Sequence, residues 1–266
     1  MTNYYVLNVD DAFAGEAPKD YDWDSKLSSR SLREYIKNKR EFPSFTPNLE
    51  IKIYRDREFS QVRDFLHCML DGLCFSEKVK NIFSEFNLPK HKFYPIKVVL
   101  PKKRLKLLKS SPTDTLTYYN LWYSFYDLTN QYKLIDFSKT KIIAETPAMT
   151  REVVKVTSSE EWEQLPEKNK MLREELKKYT NEFDMPLKDC FEKVDSLRRQ
   201  IVGMTSTDEI VFSKDFDHSI DLFEIPAFSS RTYISDRLGE RLKKENVTGI
   251  DIYRPQSIGG PKLTWQ

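Results

Sequence analysis

The sequence predicts an α+β fold: a β-sheet scaffold carrying a duplicated strand–capped helix–strand unit, with a helical segment between the two copies. Three observations lead there. A block of the chain occurs twice, FSEKVKNIFSEFNLPKHKFY at 75–94 and ISDRLGERLKKENVTGIDIY at 234–253. The flanking segments are rich in β-branched and aromatic residues, which favour strands. The stretch of about 158–202 has apolar residues at helical spacing and separates the two β-rich regions.

In the repeat, Ser76 to Tyr94 and Ser235 to Tyr253 align without a gap. An apolar residue precedes each serine, and an acid, a base and then Val79 or Leu238 follow it. Serine at such a position suits a helix N-cap, and the acid after it complements the positive end of the helix dipole. Ser76 and Ser235 are therefore expected as structural caps. Val79, Ile82, Phe83 and Phe86 form one apolar stripe; in the second copy only Leu238 and Leu242 hold it. Asn87 and Asn246 fall where each helix should end, and asparagine tolerates the left-handed cap conformation. Each block also follows an Asp-led apolar run, Asp64-Phe65-Leu66 and Asp221-Leu222-Phe223. The repeat units span about 64–100 and about 221–255, within a single domain of residues 1–266.

The other elements follow in order. Tyr4 to Val9 reads as a strand, and Asp10 to Asp24 as an acidic loop. Leu32, Tyr35 and Ile36 mark a short helix ending before Pro43, and Leu49 to Tyr54 returns as a strand. Asp71-Gly72 is a turn signal. The segment 97–109 begins as the strand of the repeat and becomes basic; Thr115 to Phe125 is a further strand. Ile142, Ile143 and Val153 to Val156 suggest more. Ser158 with Glu161 forms a capping-box pattern ahead of Met171, Leu172, Leu176, Tyr179 and Phe183. After Pro186, the residues Leu187, Phe191, Val194, Leu197 and Ile201 continue at helical spacing. Glu209 to Ser213 is a short strand, and the tail from Ser257 to Gln266 is expected to be loosely held.

Composition narrows the function classes. The chain has 266 residues, enough for a large core in one or two domains. With 13% aromatic residues it does not read as disordered. A net charge of +2 supplies no global attraction to nucleic acid or to a membrane surface. No apolar run approaches a membrane span, and no signal peptide is evident. Three cysteines, Cys68, Cys74 and Cys190, fit a reducing cytosol better than a disulfide framework.

The search for chemistry finds no convergent catalytic set. With 7 glycines there is no phosphate-cradling loop, and neither a nucleophile elbow nor a metalloprotease histidine pair occurs. His67, Cys68 and Cys74 lie near each other, but His91, Cys190 and His218 are scattered, so no metal site is expected. No catalytic residue and no cofactor are assigned. Two charge features could carry recognition. The basic run Lys102, Lys103, Arg104, Lys106 and Lys109 could contact phosphates, or be the solvated end of a strand. The acidic loop holds Asp10, Asp11, Glu16, Asp20, Asp22 and Asp24 against Lys19, with Phe13, Tyr21 and Trp23 interleaved. Acids mixed with aromatics suit a basic protein partner, where aromatics anchor and charge steers; a solvated loop is the bland alternative.

The opening YYVLNVDD, the two Ser-led helix starts and the closing VTGIDIYRP resemble the immunity protein eleven family of bacterial polymorphic toxin systems. The resemblance runs over most of the chain, and the helical stretch of 158–202 fits the family pattern least. It implies a cytoplasmic α+β protein that protects producer and kin cells by binding a cognate toxin C-terminal domain encoded by a neighbouring gene. It implies no membrane partner, no small-molecule cofactor and no catalytic residue, and it leaves the chemistry of the toxin open. Two rival classes remain: an enzyme that reverses a toxin-made modification, and a nucleic-acid-binding module using the run 102–109.

Overall fold

The computed structural model describes residues 3–9, 42, 49–52, 63–66, 73–99, 115–123, 134–181, 187–203, 205–225 and 229–266. They form an α+β fold. The chain divides into two compact units. The first comprises 1–128, 217–224 and 231–254; the second comprises 129–216, 225–230 and 255–266. Both repeated blocks, 75–94 and 234–253, fall in the first unit, and the helical segment falls in the second.

The first unit is built from two sheets. One contains β2 (Leu49–Lys52), β5 (His91–Val99), β6 (Thr115–Tyr123), β4 (Leu73–Phe75) and β3 (Phe65–Leu66), in that spatial order. The other runs β11 (Leu222–Ile225), β12 (Ser229–Ser235), β1 (Tyr4–Val9), β13 (Ile250–Tyr253). Helix α1 (Glu77–Phe83) follows β4, and helix α4 (Asp236–Lys244) follows β12. Each copy is thus a strand pair, a serine at the helix start, a helix and a further strand.

The correspondence extends beyond the repeated block. In each sheet the strand before the helix and the strand after it do not touch; a third strand lies between them, antiparallel to both. That strand is β6 in the first copy and β1 in the second. The registers match residue for residue. Asn120 stands between Cys74 and Tyr94, and Val6 between Tyr233 and Tyr253. Leu121 stands between Leu73 and Phe93, and Leu7 between Thr232 and Ile252. Their sequences share Tyr-Tyr-x-Leu, Tyr118 to Leu121 and Tyr4 to Leu7. The tyrosine opening each motif sends its hydroxyl to an equivalent carbonyl: Tyr118 to Arg63 and Tyr4 to Ile220, each just ahead of the Asp-led run. The second copy is therefore complete, with its middle strand drawn from the other end of the sequence.

One core serves both copies. Val79, Ile82 and Phe83 from α1 and Leu238 and Leu242 from α4 join Phe65, Leu73, Phe75, Leu7, Leu222 and Ile234, all buried. Burying a side chain of this size contributes about 1.5–3 kcal/mol. Phe75 and Phe83 meet edge to face at 5.0 Å. Val79, Ile82 and Phe83 of the expected stripe are the buried face of α1, while Phe86 lies beyond the helix end and is only partly buried; Gly239 joins Leu238 and Leu242 on α4. Asn246 adopts a left-handed conformation at φ 50; Asn87 does not share it. Gly249 does, at φ +84, and a Cβ there would lie 2.5 Å from the Phe65 carbonyl oxygen. Only glycine lets the approach to β13 lie flush against β3.

The second unit contains a three-stranded sheet, β8 (Arg151–Val154), β7 (Ile142–Glu145), β9 (Thr205–Ser206), and a parallel pair of β10 (Glu209–Phe212) with β14 (Lys262–Trp265). The tail is not loose. Trp265 stacks on Phe212 at 4.2 Å, and a 3-10 turn at Pro255–Ile258 leads into β14. Helices α2 (Ser159–Asn181) and α3 (Leu187–Gln200) pack against each other. The Ser158 hydroxyl accepts from the Glu161 amide, while the Glu161 carboxylate reaches back to the Thr157 amide. The seam follows most of the expected stripe but departs from it at Phe191 and Met171. Cys190, Val194, Leu197 and Ile201 face inward on α3, whereas Phe191 is 70% exposed and Met171 on α2 is 63% exposed. No helix among the described residues is long and apolar enough to cross a membrane.

Candidate functional site

Among the described residues the first unit holds two matching polar clusters, each around the aspartate that opens a repeat copy. At the first, Asp64 Oδ1 accepts from the Ser76 hydroxyl at 2.9 Å and Oδ2 from Lys78 Nζ at 3.2 Å. The Asp64 carbonyl accepts from the Ser76 amide at 2.7 Å. At the second, Asp221 Oδ1 accepts from the Ser235 hydroxyl at 2.6 Å, and Arg237 grips both carboxylate oxygens through Nε and Nη2. The Asp221 carbonyl accepts from the Ser235 amide at 2.9 Å. The serine, the base and the Asp-led run that mark the repeat in the sequence are thus three parts of one hydrogen-bonded group.

Each aspartate also reaches into the other copy. Asp64 Oδ2 accepts from the Thr248 amide at 3.1 Å, and its own amide donates to the Thr248 hydroxyl at 2.9 Å. Asp221 Oδ2 accepts from the Asn87 amide at 2.8 Å, and its amide donates to the Asn87 carbonyl at 2.7 Å. Thr248 follows α4 and Asn87 follows α1. The exchange runs both ways, through non-equivalent positions: Asn87 matches Asn246 in the repeat, and Thr248 matches Pro89. Each carboxylate braces the start of its own helix and the end of the opposite one.

The electrostatics follow from this geometry. Burial pushes the Asp64 carboxyl up, but the Thr248 amide, the Ser76 hydroxyl and Lys78 outweigh it and hold the group below its ordinary value. Arg237 is raised, first by its hydrogen bonds to Asp221. Tyr4 and Tyr118 are both raised, by burial foremost, with Asp221 contributing at Tyr4 and Cys74 then Asp64 at Tyr118. Hydrogen bonds occupy both oxygens of each carboxylate. Chemically the clusters are braces, strong because they are charge-assisted.

Ser235 caps α4, accepting from the Leu238 amide at 3.2 Å, and also donates to Asp221. Ser76 occupies the same position on α1 without a side-chain cap bond; its hydroxyl is turned to Asp64. Asp10, Asp11, Phe13, Glu16, Asp20, Tyr21, Asp22, Trp23 and Asp24 lie outside the described residues, as do His67, Cys68 and the basic run 102–109. Among the described residues no three His, Cys, Asp or Glu side chains are grouped to hold a metal ion. His91 turns Nδ1 to the Pro89 carbonyl, and Cys190 donates to the Tyr179 carbonyl.

Sequence reasoning aligned the two Asp-led runs without assigning the aspartates a role. It placed Asn87 only at a helix end and Thr248 only within the family-like segment, and passed over the paired Tyr-Tyr-x-Leu strands. The available signal was the recurrence of that tetrapeptide outside the repeated block. Compared with known proteins, the chain matches no family model and no curated protein.

Proposed function

We propose that this chain is an immunity protein: it binds a cognate toxin domain in the bacterial cytoplasm and neutralises it stoichiometrically, without turnover. The observation that carries the reading is where the family-like residues lie. Tyr4 to Val9, both Ser-led helix starts and the segment from Val247 to Arg254 all belong to the first unit, around one core. The helical stretch that fits the family pattern least lies in the second unit. A binding protein needs a rigid scaffold that presents a surface at low entropic cost, and a duplicated, cross-braced module supplies rigidity.

The toxin-facing surface in this reading includes the acidic loop from Asp10 to Asp24, with its local charge of −5 and three aromatics. The decisive experiment is co-expression with the toxin domain of the neighbouring gene, followed by co-purification and calorimetry. Saturable one-to-one binding supports the proposal. Protection at far below equimolar protein supports an enzyme instead. Replacing Asp20, Asp22 and Asp24 by Asn should slow association and flatten its salt dependence; an unchanged rate removes the loop from the interface.

A further inference from the structure

Two sheets with matched registers contain two equivalent slots. The slot between β4 and β5 holds β6, and the slot between β12 and β13 holds β1. The occupants arrive differently. β6 follows β5 in sequence and pairs with it over nine residues, from His91↔Tyr123 to Val99↔Thr115. β1 pairs with residues far along the chain, as in Tyr4↔Ser235 and Val9↔Ile250. Yet both slots take the same tetrapeptide in the same register and anchor its first tyrosine on an equivalent carbonyl. Recognition therefore resides in the slot and the strand, not in the connection between them.

The contacts of β1 explain that recognition. Both of its edges are hydrogen-bonded, so backbone pairing holds it on two sides. The Tyr4 hydroxyl donates to the Ile220 carbonyl at 2.9 Å, and its ring meets Phe223 edge to face at 5.0 Å. Val6 and Leu7 are buried, Leu7 in the shared core. Main-chain bonds on both edges with a tyrosine and a leucine as anchors is the chemistry of strand addition.

We propose that the slot between β12 and β13 is a strand-acceptor site for a Tyr-Tyr-x-Leu segment, and that a second copy of the chain fills it with its own β1 by exchange. A strand joined to its neighbours only through a long connection is offered at an effective concentration that a second molecule can match. Exchange of an identical element between protomers preserves every contact it makes.

The test starts from the full-length chain. A protease site is inserted between Ala17 and Pro18, the folded protein is cleaved, unfolded, and refolded with excess labelled peptide. Two peptides are used: residues 1–10, and residues 116–124 from the β6 region. Both should be incorporated at one per chain, and the first with Leu7→Ala should compete about tenfold or more weakly, since a buried leucine is lost. Intact chains carrying two different labels, refolded together at high concentration, should yield mixed dimers. Failure of the nicked chain to take up the 1–10 peptide overturns the acceptor site. Uptake of the 1–10 peptide but not the β6 peptide overturns recognition of the shared pattern. Peptide uptake without mixed dimers overturns exchange between copies.

Discussion

The two copies make the same brace with different materials. In the first copy Asp64 keeps 17% of its side chain exposed and is paired to a lysine. In the second, Asp221 is fully buried and held by two arginine nitrogens. Lysine is a point charge on a flexible stem, whereas arginine offers a planar fork that matches a carboxylate. Both bases reach solvent, but water has access to the Asp64 carboxylate and not to that of Asp221. Identical topology therefore carries unequal energetic weight, and the second copy should be the one on which the unit depends.

The largest expected effect tests that inequality. Asp221→Ala leaves the Ser235 hydroxyl and the Asn87 amide without their acceptor and leaves Arg237 only its bond to the Ser219 carbonyl. It should cost about 2–3 kcal/mol, because the buried hydrogen bonds to Ser235 and Asn87 are lost while the half-exposed Arg237 is taken up by water. Asp64→Ala should cost about 1–2 kcal/mol, because water can replace part of what is lost. Urea midpoints of the two variants measure the difference, and equal midpoints would remove burial as its cause.

A smaller contrast concerns the serines. Ser235→Ala loses both a cap and a bond to Asp221, and should cost about 1–2 kcal/mol. Ser76→Ala loses only the bond to Asp64 and should cost less than about 1 kcal/mol. The same denaturation series reads both; a larger loss at Ser76 would mean that the cap on α4 contributes little.

The pH dependence follows the sign of the Asp64 shift. Its carboxyl titrates below the ordinary range when folded, so it stabilises above about pH 4 and that contribution is lost as pH falls through the folded value. Asp64→Asn should therefore flatten part of the acid limb of stability against pH. Asp136, Asp217 and Glu209 are lowered as well and keep the remainder. An acid limb identical in the variant would show that Asp64 keeps its partners when the chain unfolds.

The smallest expected effect has the opposite sign. Gly239 lies inside α4, where an added Cβ would meet Ile234 at 3.6 Å, ordinary contact distance. Gly239→Ala should stabilise by up to about 1 kcal/mol through helix propensity. A loss would reveal that α4 sits tighter on Ile234 and Ile252 than that distance implies.

Much of the first unit was legible because its signals are local. The run of serine, acid, base and apolar residue marked both helix starts, and the stripe of Val79, Ile82 and Phe83 marked the buried face. The Asp64 and Asp221 braces were not legible. Asp64 stands 12 residues before Ser76 and Asp221 stands 14 before Ser235, so a gapless alignment cannot superpose both serines and both aspartates. The middle strands were hidden by order: one copy has its Tyr-Tyr-x-Leu after the repeated block and the other far before it. In the second unit, Phe191 matched helical spacing as well as Cys190 does. Which of two adjacent apolar residues faces inward is decided by the partner helix. The pairing of β14 with β10, which secures the tail, joins segments with no shared pattern.

The placement of β1 has a consequence for the moment of synthesis. Its partners include Ser235 on β12 and Tyr253 on β13, so it leaves the ribosome more than two hundred residues before they exist. At about 5–20 residues per second, that interval is on the order of ten to fifty seconds. Throughout it, a six-residue strand with two bare edges and buried-type side chains at Val6 and Leu7 has no native neighbour. The newborn chain must carry this orphan strand past every later element, including β4 and β5, whose slot fits the same tetrapeptide and is still waiting for β6 to emerge.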